Sequence, residues 1–216
     1  MMFLDIFTIF PQMFEGPLSC GVTNTAKEKG IIDIRIWNLR DFTDDPHKKV
    51  DDSPYGGGPG MVLKPEPIFR GVKSVSDSMA KVILLSPRGT LYTQEIAHQL
   101  SCESHLIFIC GRYQGVDDRV REALVDMELS IGNYVLAGGE LACMVIVESL
   151  ARLLPGVLKN PESLASDSFG YLDSPLYTRP REFEGMCVPE VLASGHHQKI
   201  EHWKSTKRKK WTQSIK

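Results

Sequence analysis

Apolar and polar positions along the chain fall into short blocks whose period changes repeatedly. Phe3–Phe10 is nearly continuous in apolar residues and stops at Pro11, the pattern of a buried strand. Ile32-Asp33-Ile34-Arg35-Ile36-Trp37 alternates strictly, which predicts a strand with one polar face. Val82–Leu85 and Leu106–Cys110 are two more short apolar runs, closed by Ser86-Pro87 and by Gly111. Between them, Thr93–Leu100 has helical spacing: Ile96, Ala97 and Leu100 share a face. Thr93 suits the N-cap, because its hydroxyl can accept a bond from a free backbone amide. Asp117–Val125 is predicted to be a second helix, with Val120, Leu124 and Val125 turned inward. Glu140–Leu154 is the longest helical pattern, apolar on most sides and stopped by Pro155-Gly156. Strands alternating with helices predict an α/β fold with a mostly parallel sheet.

The pattern changes after the long helix. Lys159–Ser168 is polar, holds Pro161 and has one large apolar residue, Leu164, as a linker would. Val188–Lys216 is predicted to form two short helices broken at Gly195. The expected organisation is an α/β domain over residues 1–158, a flexible linker over 159–174 and a small helical domain over 175–216.

Composition narrows the class. At 216 residues, 42% hydrophobic and 24% charged, the chain matches an ordinary globular protein, not a disordered or fibrous one. No apolar run approaches the ~20 residues that span a bilayer, so no membrane association is expected. Met1–Phe14 lacks a basic start and contains Asp5 and Pro11, so it does not read as a secretory signal. Cys20, Cys102, Cys110, Cys143 and Cys187 are odd in number and widely spaced, which argues against a disulfide framework or a zinc site. A reducing compartment, and hence a cytoplasmic location, is expected.

Charge is unevenly spread. Residues 199–216 hold seven bases against the single acid Glu201, a charge of +6, so residues 1–198 carry -8 of the total of -2. A basic end on an acidic body suits a phosphate-bearing partner, although a solvated terminal helix has the same composition. Trp203 and Trp211 lie among these bases, where an indole can pack the tail down or stack on an RNA base.

Three predicted strand ends open into glycine-bearing loops: Leu85–Gly89, Cys110–Gly115 and Ile131–Glu140. In a parallel sheet, ligands bind at the carboxyl ends of strands, and glycines there let the backbone approach a ligand closely. The three together predict a cofactor pocket. It is not a dinucleotide site, because no G-x-G-x-x-G follows a strand. Gly56-Gly57-Gly58-Pro59-Gly60 lacks the Gly-Lys-Ser/Thr of a P-loop, Lys64 comes too late, and Asp51-Asp52 would repel phosphate; Tyr55–Gly60 reads as a wide turn. His196, His197 and His202 match no standard ligand spacing, so no metal site is expected.

VDDSPYGGGPGM (Val50–Met61), LLSPRG (Leu84–Gly89), CGRYQGVDDRV (Cys110–Val120), SIGNYVLAGGE (Ser130–Glu140), LDSPLYTRP (Leu172–Pro180) and VPEVLASGHH (Val188–His197) occur in that order. Together they resemble the bacterial tRNA (guanine-N1)-methyltransferase family, TrmD, from Phe3 to about Lys204. The resemblance implies the SPOUT methyltransferase fold, with a C-terminal trefoil knot, working as a homodimer. It implies S-adenosylmethionine held by Leu85, Ser86 and Pro87 of the first loop and by Gly111, Tyr113 and Gln114 of the second. In the third loop the matching positions are Ile131, Gly132, Asn133, Tyr134, Val135, Leu136, Gly138 and Gly139. The implied substrate is the guanosine immediately 3′ of the tRNA anticodon, preceded by another guanosine, and the methyl group there maintains the reading frame.

Guanine N1 carries a proton at neutral pH and is not nucleophilic until that proton leaves. A carboxylate near N1 can take it while a cation near O6 stabilises the charge that develops. The resemblance places Asp167, supplied by the partner subunit, as the base and Arg152 as the stabiliser. Alone, Asp167 would read as an exposed linker acid and Arg152 as a helix C-terminal cation complementing the dipole. Gln114 stands where the family usually has Glu, which removes a candidate ligand for Mg²⁺ and leaves metal dependence open. Asn133 and Ala142 replace a usual Asp and Pro, the segment from Asp167 to Asp173 is two residues shorter, and the helical tRNA-binding domain is shortened. Two other readings are a related SPOUT enzyme acting on another RNA atom and a non-catalytic RNA-binding protein.

Overall fold

The structure, a computed structural model, describes residues 1–159 and 174–214. The chain forms two compact units, Met1–Lys159 and Asn160–Lys216. In the first, five strands form one parallel sheet: β1 (Met2–Thr8), β2 (Ile32–Asn38), β5 (Ala80–Leu91), β6 (His105–Cys110) and β7 (Met127–Ser130), in the order β2-β1-β6-β5-β7. A two-stranded antiparallel ribbon, β3 (Asp51–Asp52) with β4 (Val62–Leu63), lies outside it. The helices of this unit are α1 (Gly21–Glu28), α2 (Pro65–Val75), α3 (Gln94–Ser101), α4 (Asp118–Leu124) and α5 (Glu140–Leu153). The α/β architecture with a parallel sheet is the expected one.

Side chains alternate across a strand, so a sheet covered on both faces needs apolar residues at successive positions. Leu4, Ile6, Ile83, Leu106 and Phe108 pack with Ala26, Leu100, Ile146 and Leu150 on one face. Phe7, Val82, Leu84, Ile107 and Ile109 pack with Ile68, Val72 and Val120 on the other. This double cover explains the unbroken apolar runs of β1 and β6. The polar positions of β2 also have a use. Asp5 of β1 is fully buried, and its carboxylate accepts bonds from Arg35 and from Trp37 Nε1, while His105 Nε2 lies 2.7 Å away.

The predicted helix starts are found where the caps place them. Thr93 Oγ1 accepts from the Ile96 amide at 3.4 Å, and α3 begins at the next residue. Asp117 accepts from the Arg119 amide at 3.0 Å and caps α4. The hydrophobic pattern does not predict α1, of which only Thr23 and Ala26 are buried, nor α2 and β7. The strand predicted to stop at Leu85 instead continues to Leu91, because the Ser86-Pro87 break is a bulge and not an end.

In the second unit, β8 (Glu182–Phe183) and β9 (Met186–Cys187) form a hairpin, followed by α6 (Glu190–Ala193) and α7 (His197–Ser214). The two helices flank Gly195 as expected, but α7 is a long one. Trp203 on α7 sits 6.4 Å from the Tyr177 ring, with the Lys207 ammonium 5.7 Å above the indole. The predicted linker, Asp167 included, lies outside the described residues, as does the side chain of Trp211. Among the described residues no helix is long and apolar enough to cross a membrane.

Asp117 generates a pH prediction. The Arg119 side chain, then the Arg119 backbone amide, holds its carboxyl below the ordinary carboxylate range. A lowered folded-state pKa contributes stability that is present above the unfolded value and lost as pH falls through the folded one. Asp117→Ala should therefore cost about 1 kcal/mol at pH 7, the usual worth of an N-cap. Thermal melts should show the gap between variant and wild type narrowing as pH drops below about 4.

Candidate functional site

The carboxyl ends of β5, β6 and β7 carry the three glycine loops, and these line a single cleft of about 410 Å³. The first wall is an excursion of β5. Leu85 and Thr90 both pair with Leu129 of β7, so Ser86-Pro87-Arg88-Gly89 is expelled from the ladder and arches over the cleft. The arch closes only because residue 89 has no side chain: a Cβ there would lie 2.5 Å from the Leu129 backbone nitrogen. The second wall, Gly111–Val116, is tied to β4 by bonds from the Gln114 amide to the Met61 carbonyl and from the Leu63 amide to the Gly115 carbonyl, both 3.0 Å. The third, Ile131–Gly139, returns the chain to the second, where the Gly139 amide donates to the Gly111 carbonyl at 2.9 Å. Arg112 and Gly138 form an antiparallel bridge beside it.

Beneath these loops sits the carboxylate of Glu140, the first residue of α5 and fully buried. One oxygen accepts from Thr8 Oγ1 at 2.7 Å, and the other accepts from Arg112 Nε at 2.9 Å. The Arg112 guanidinium lies 4.5 Å over the Phe10 ring. An acid at this position also faces the positive end of the α5 dipole. The side chain of Arg112 crosses over Gly138 to reach the acid, and a Cβ on residue 138 would overlap it. At Gly139 a Cβ would stand 2.9 Å from the Cys110 Cα, so this glycine serves close packing between loops. Gly111 is different: a Cβ there meets nothing nearer than 3.5 Å, which leaves it free to face a ligand. Cys110 itself is fully buried, and burial, with Cys143 and Glu140 nearby, pushes its thiol well above the ordinary value. It is not a nucleophile at neutral pH.

The structure brings Leu85, Ser86, Pro87, Gly111, Tyr113, Gln114, Ile131, Gly132, Tyr134, Val135, Leu136, Gly138 and Gly139 to the cleft. Asn133, on the same loop, is not among its lining residues. Residues that sequence reasoning passed over include Arg88, Arg112, Ser130 and Ala142. The first three stand inside quoted motifs, which is the signal that could have singled them out. Arg152 is on the exposed side of α5 and does not line the cleft. Glycines and apolar side chains dominate the lining, which suits a flat heteroaromatic ring whose polar edge bonds to the backbone. Among the described residues no cluster of His, Cys, Asp and Glu could hold a metal ion.

A model of the family described as tRNA (Guanine-1)-methyltransferase TrmD matches residues 2–216. The chain belongs to this family.

Relatives named tRNA (guanine-N(1)-)-methyltransferase agree along most of their length. The protein from Dictyoglomus turgidum is 54% identical over 94% of this chain and 84% of its own length. Those from Brevibacillus brevis and Geobacillus kaustophilus are 53% and 54% identical, each over 93% of this chain and 84% of their own. In this TrmD-family chain, the buried acid of Glu140 therefore organises the cleft of a methyltransferase. Glu140→Ala should destabilise the first unit by about 3–5 kcal/mol, the range for breaking a buried ion pair from one side. Glu140→Gln should cost less, since the amide oxygen still accepts one bond. Urea denaturation followed by circular dichroism gives both values.

Proposed function

We propose that the chain transfers a methyl group from S-adenosylmethionine to N1 of guanosine 37 of tRNA, the nucleotide 3′ of the anticodon. The observation that carries this reading is the convergence of the three loops on one cleft at the carboxyl end of a parallel sheet, in a chain of the TrmD family. The donor supplies an electrophilic methyl group. Backbone groups of residues 85–87, 111–115 and 131–139 bind and orient it, and the apolar side chains of Leu85, Ile131 and Leu136 exclude water. Asp167 takes the N1 proton, and Arg152 stabilises the negative charge that grows on the guanine ring.

A homodimer is part of this reading. Leu141 and Val145, about half exposed, share the outer face of α5 with Glu148 and Arg152 at helical spacing. A partner subunit covering that apolar stripe would come to lie beside Arg152, where its Asp167 is needed. The family's trefoil knot is part of the same reading, at the cleft where Arg112 bridges Gly138 and the Gly139 amide bonds to Gly111. The location is cytoplasmic, with the substrate. Metal dependence is left open in this reading, because the loop position that the family fills with Glu, a candidate Mg²⁺ ligand, is Gln114.

Methyl transfer to an unmodified tRNA transcript should yield 1-methylguanosine on nucleoside mass spectrometry, and replacing guanosine 37 should abolish it. A methylated ribose, or transfer to the substituted transcript, would refute the assignment. Asp167→Ala should slow the chemical step by ~10²–10⁴-fold and spare donor affinity. Co-expressed Asp167→Ala and Arg152→Ala subunits should regain activity, since one intact site forms in each heterodimer. Verified heterodimers without recovery would place both residues in one subunit.

A further inference from the structure

Between β3 and β4 the chain makes a wide glycine-rich turn, residues 53–61. Tyr55 stands at its tip with its side chain completely in solvent. An aromatic ring is seldom left so, because its apolar faces gain from any cover. Behind it Gly56, Gly57, Gly58 and Gly60 have φ of +84°, +78°, +116° and +93°, all in the left-handed region that side chains avoid. The tip is therefore held out by a run that only glycine follows readily. The base of this segment is docked on the cleft. Gln114, which lines it, covers Gly60 so closely that a Cβ there would sit 2.8 Å from the Gln114 Cγ, and its amide donates to the Met61 carbonyl at 3.0 Å. An exposed ring on a support fixed to the cleft wall is the equipment that single-stranded RNA binders use to hold unstacked bases.

Resting on the proposed tRNA methylation, we infer that Tyr55 stacks on a nucleotide next to the target guanosine. N1 lies on the Watson–Crick edge, and presenting it to a donor deep in the cleft pulls the base out of the anticodon-loop stack. The neighbouring base loses a stacking partner, and the Tyr55 ring replaces it. The contact is one of faces, so the ring is required and the hydroxyl is not.

Steady-state kinetics on tRNA transcripts tests this with Tyr55→Ala and Tyr55→Phe. The alanine variant should raise KM for tRNA about 5- to 150-fold, the span for losing one base–aromatic stack. It should leave calorimetric affinity for S-adenosylmethionine and the melting temperature unchanged, because Tyr55 is outside the cleft lining and fully exposed. The phenylalanine variant should match wild type. Transcripts with 2-aminopurine on either side of the target give a direct readout: extruding the target unstacks its neighbour, and one of the two transcripts should be brighter when bound to Tyr55→Ala than when bound to wild type or Tyr55→Phe, whose ring quenches it. An alanine variant with wild-type KM and emission, or a phenylalanine variant as impaired as alanine, overturns the stacking role. If wild type itself fails to methylate the transcript, the proposed function falls instead.

Discussion

The carboxylate of Glu140 is the point on which the cleft depends. It is buried at the first turn of α5, where the helix dipole favours a negative charge, and both oxygens are engaged. Its partners come from separate parts of the chain: Thr8 ends β1, Arg112 follows β6, and the acid itself ends the third loop. One charged group thus fixes the relative positions of two loops and a helix that otherwise share only a few main-chain bonds. The glycines at 138 and 139 follow from it, since the guanidinium must cross one and the β6 end must touch the other. A second buried acid, Asp5, plays a comparable part within the sheet, joining β1 to Arg35 and Trp37 of β2 and to His105 at the start of β6.

Much of this was legible in the sequence, and the reasons for the gaps are physical. Strands covered on both faces, such as β1 and β6, leave nearly continuous apolar runs, and a side-chain cap such as Thr93 is local, so both read directly. Helix α2 was missed, although Pro65 at its first turn is a start signal of a known kind. Helix α1 buries too few apolar residues to leave a period. The β5 excursion could not be foreseen, because Ser-Pro ends most strands and only pairing with β7 shows that this one resumes. The Arg112–Glu140 pair joins residues 28 apart, and nothing in the spacing of two such charges announces a contact.

The site shows the same division. Three glycine loops at strand ends pointed to one pocket, and the structure brings all but one of the named residues there. Position in the fold was readable because two of the loops follow strands of one parallel sheet and the first is an excursion of a third strand of that sheet. Chemical role was not. Arg152 lies on an exposed helix face, away from the cleft lining, and without the family motif it would pass for any surface cation.

The glycines of the cleft loops have an evolutionary corollary. A competitor that binds by bonding to backbone amides and carbonyls engages groups that codon changes cannot delete. The residues that could be altered to crowd it out include Gly138 and Gly139, where any side chain collides with the protein's own structure. Gly111 alone among those close-set loop glycines has room for a methyl group, and so it marks where escape from such a competitor would first arise.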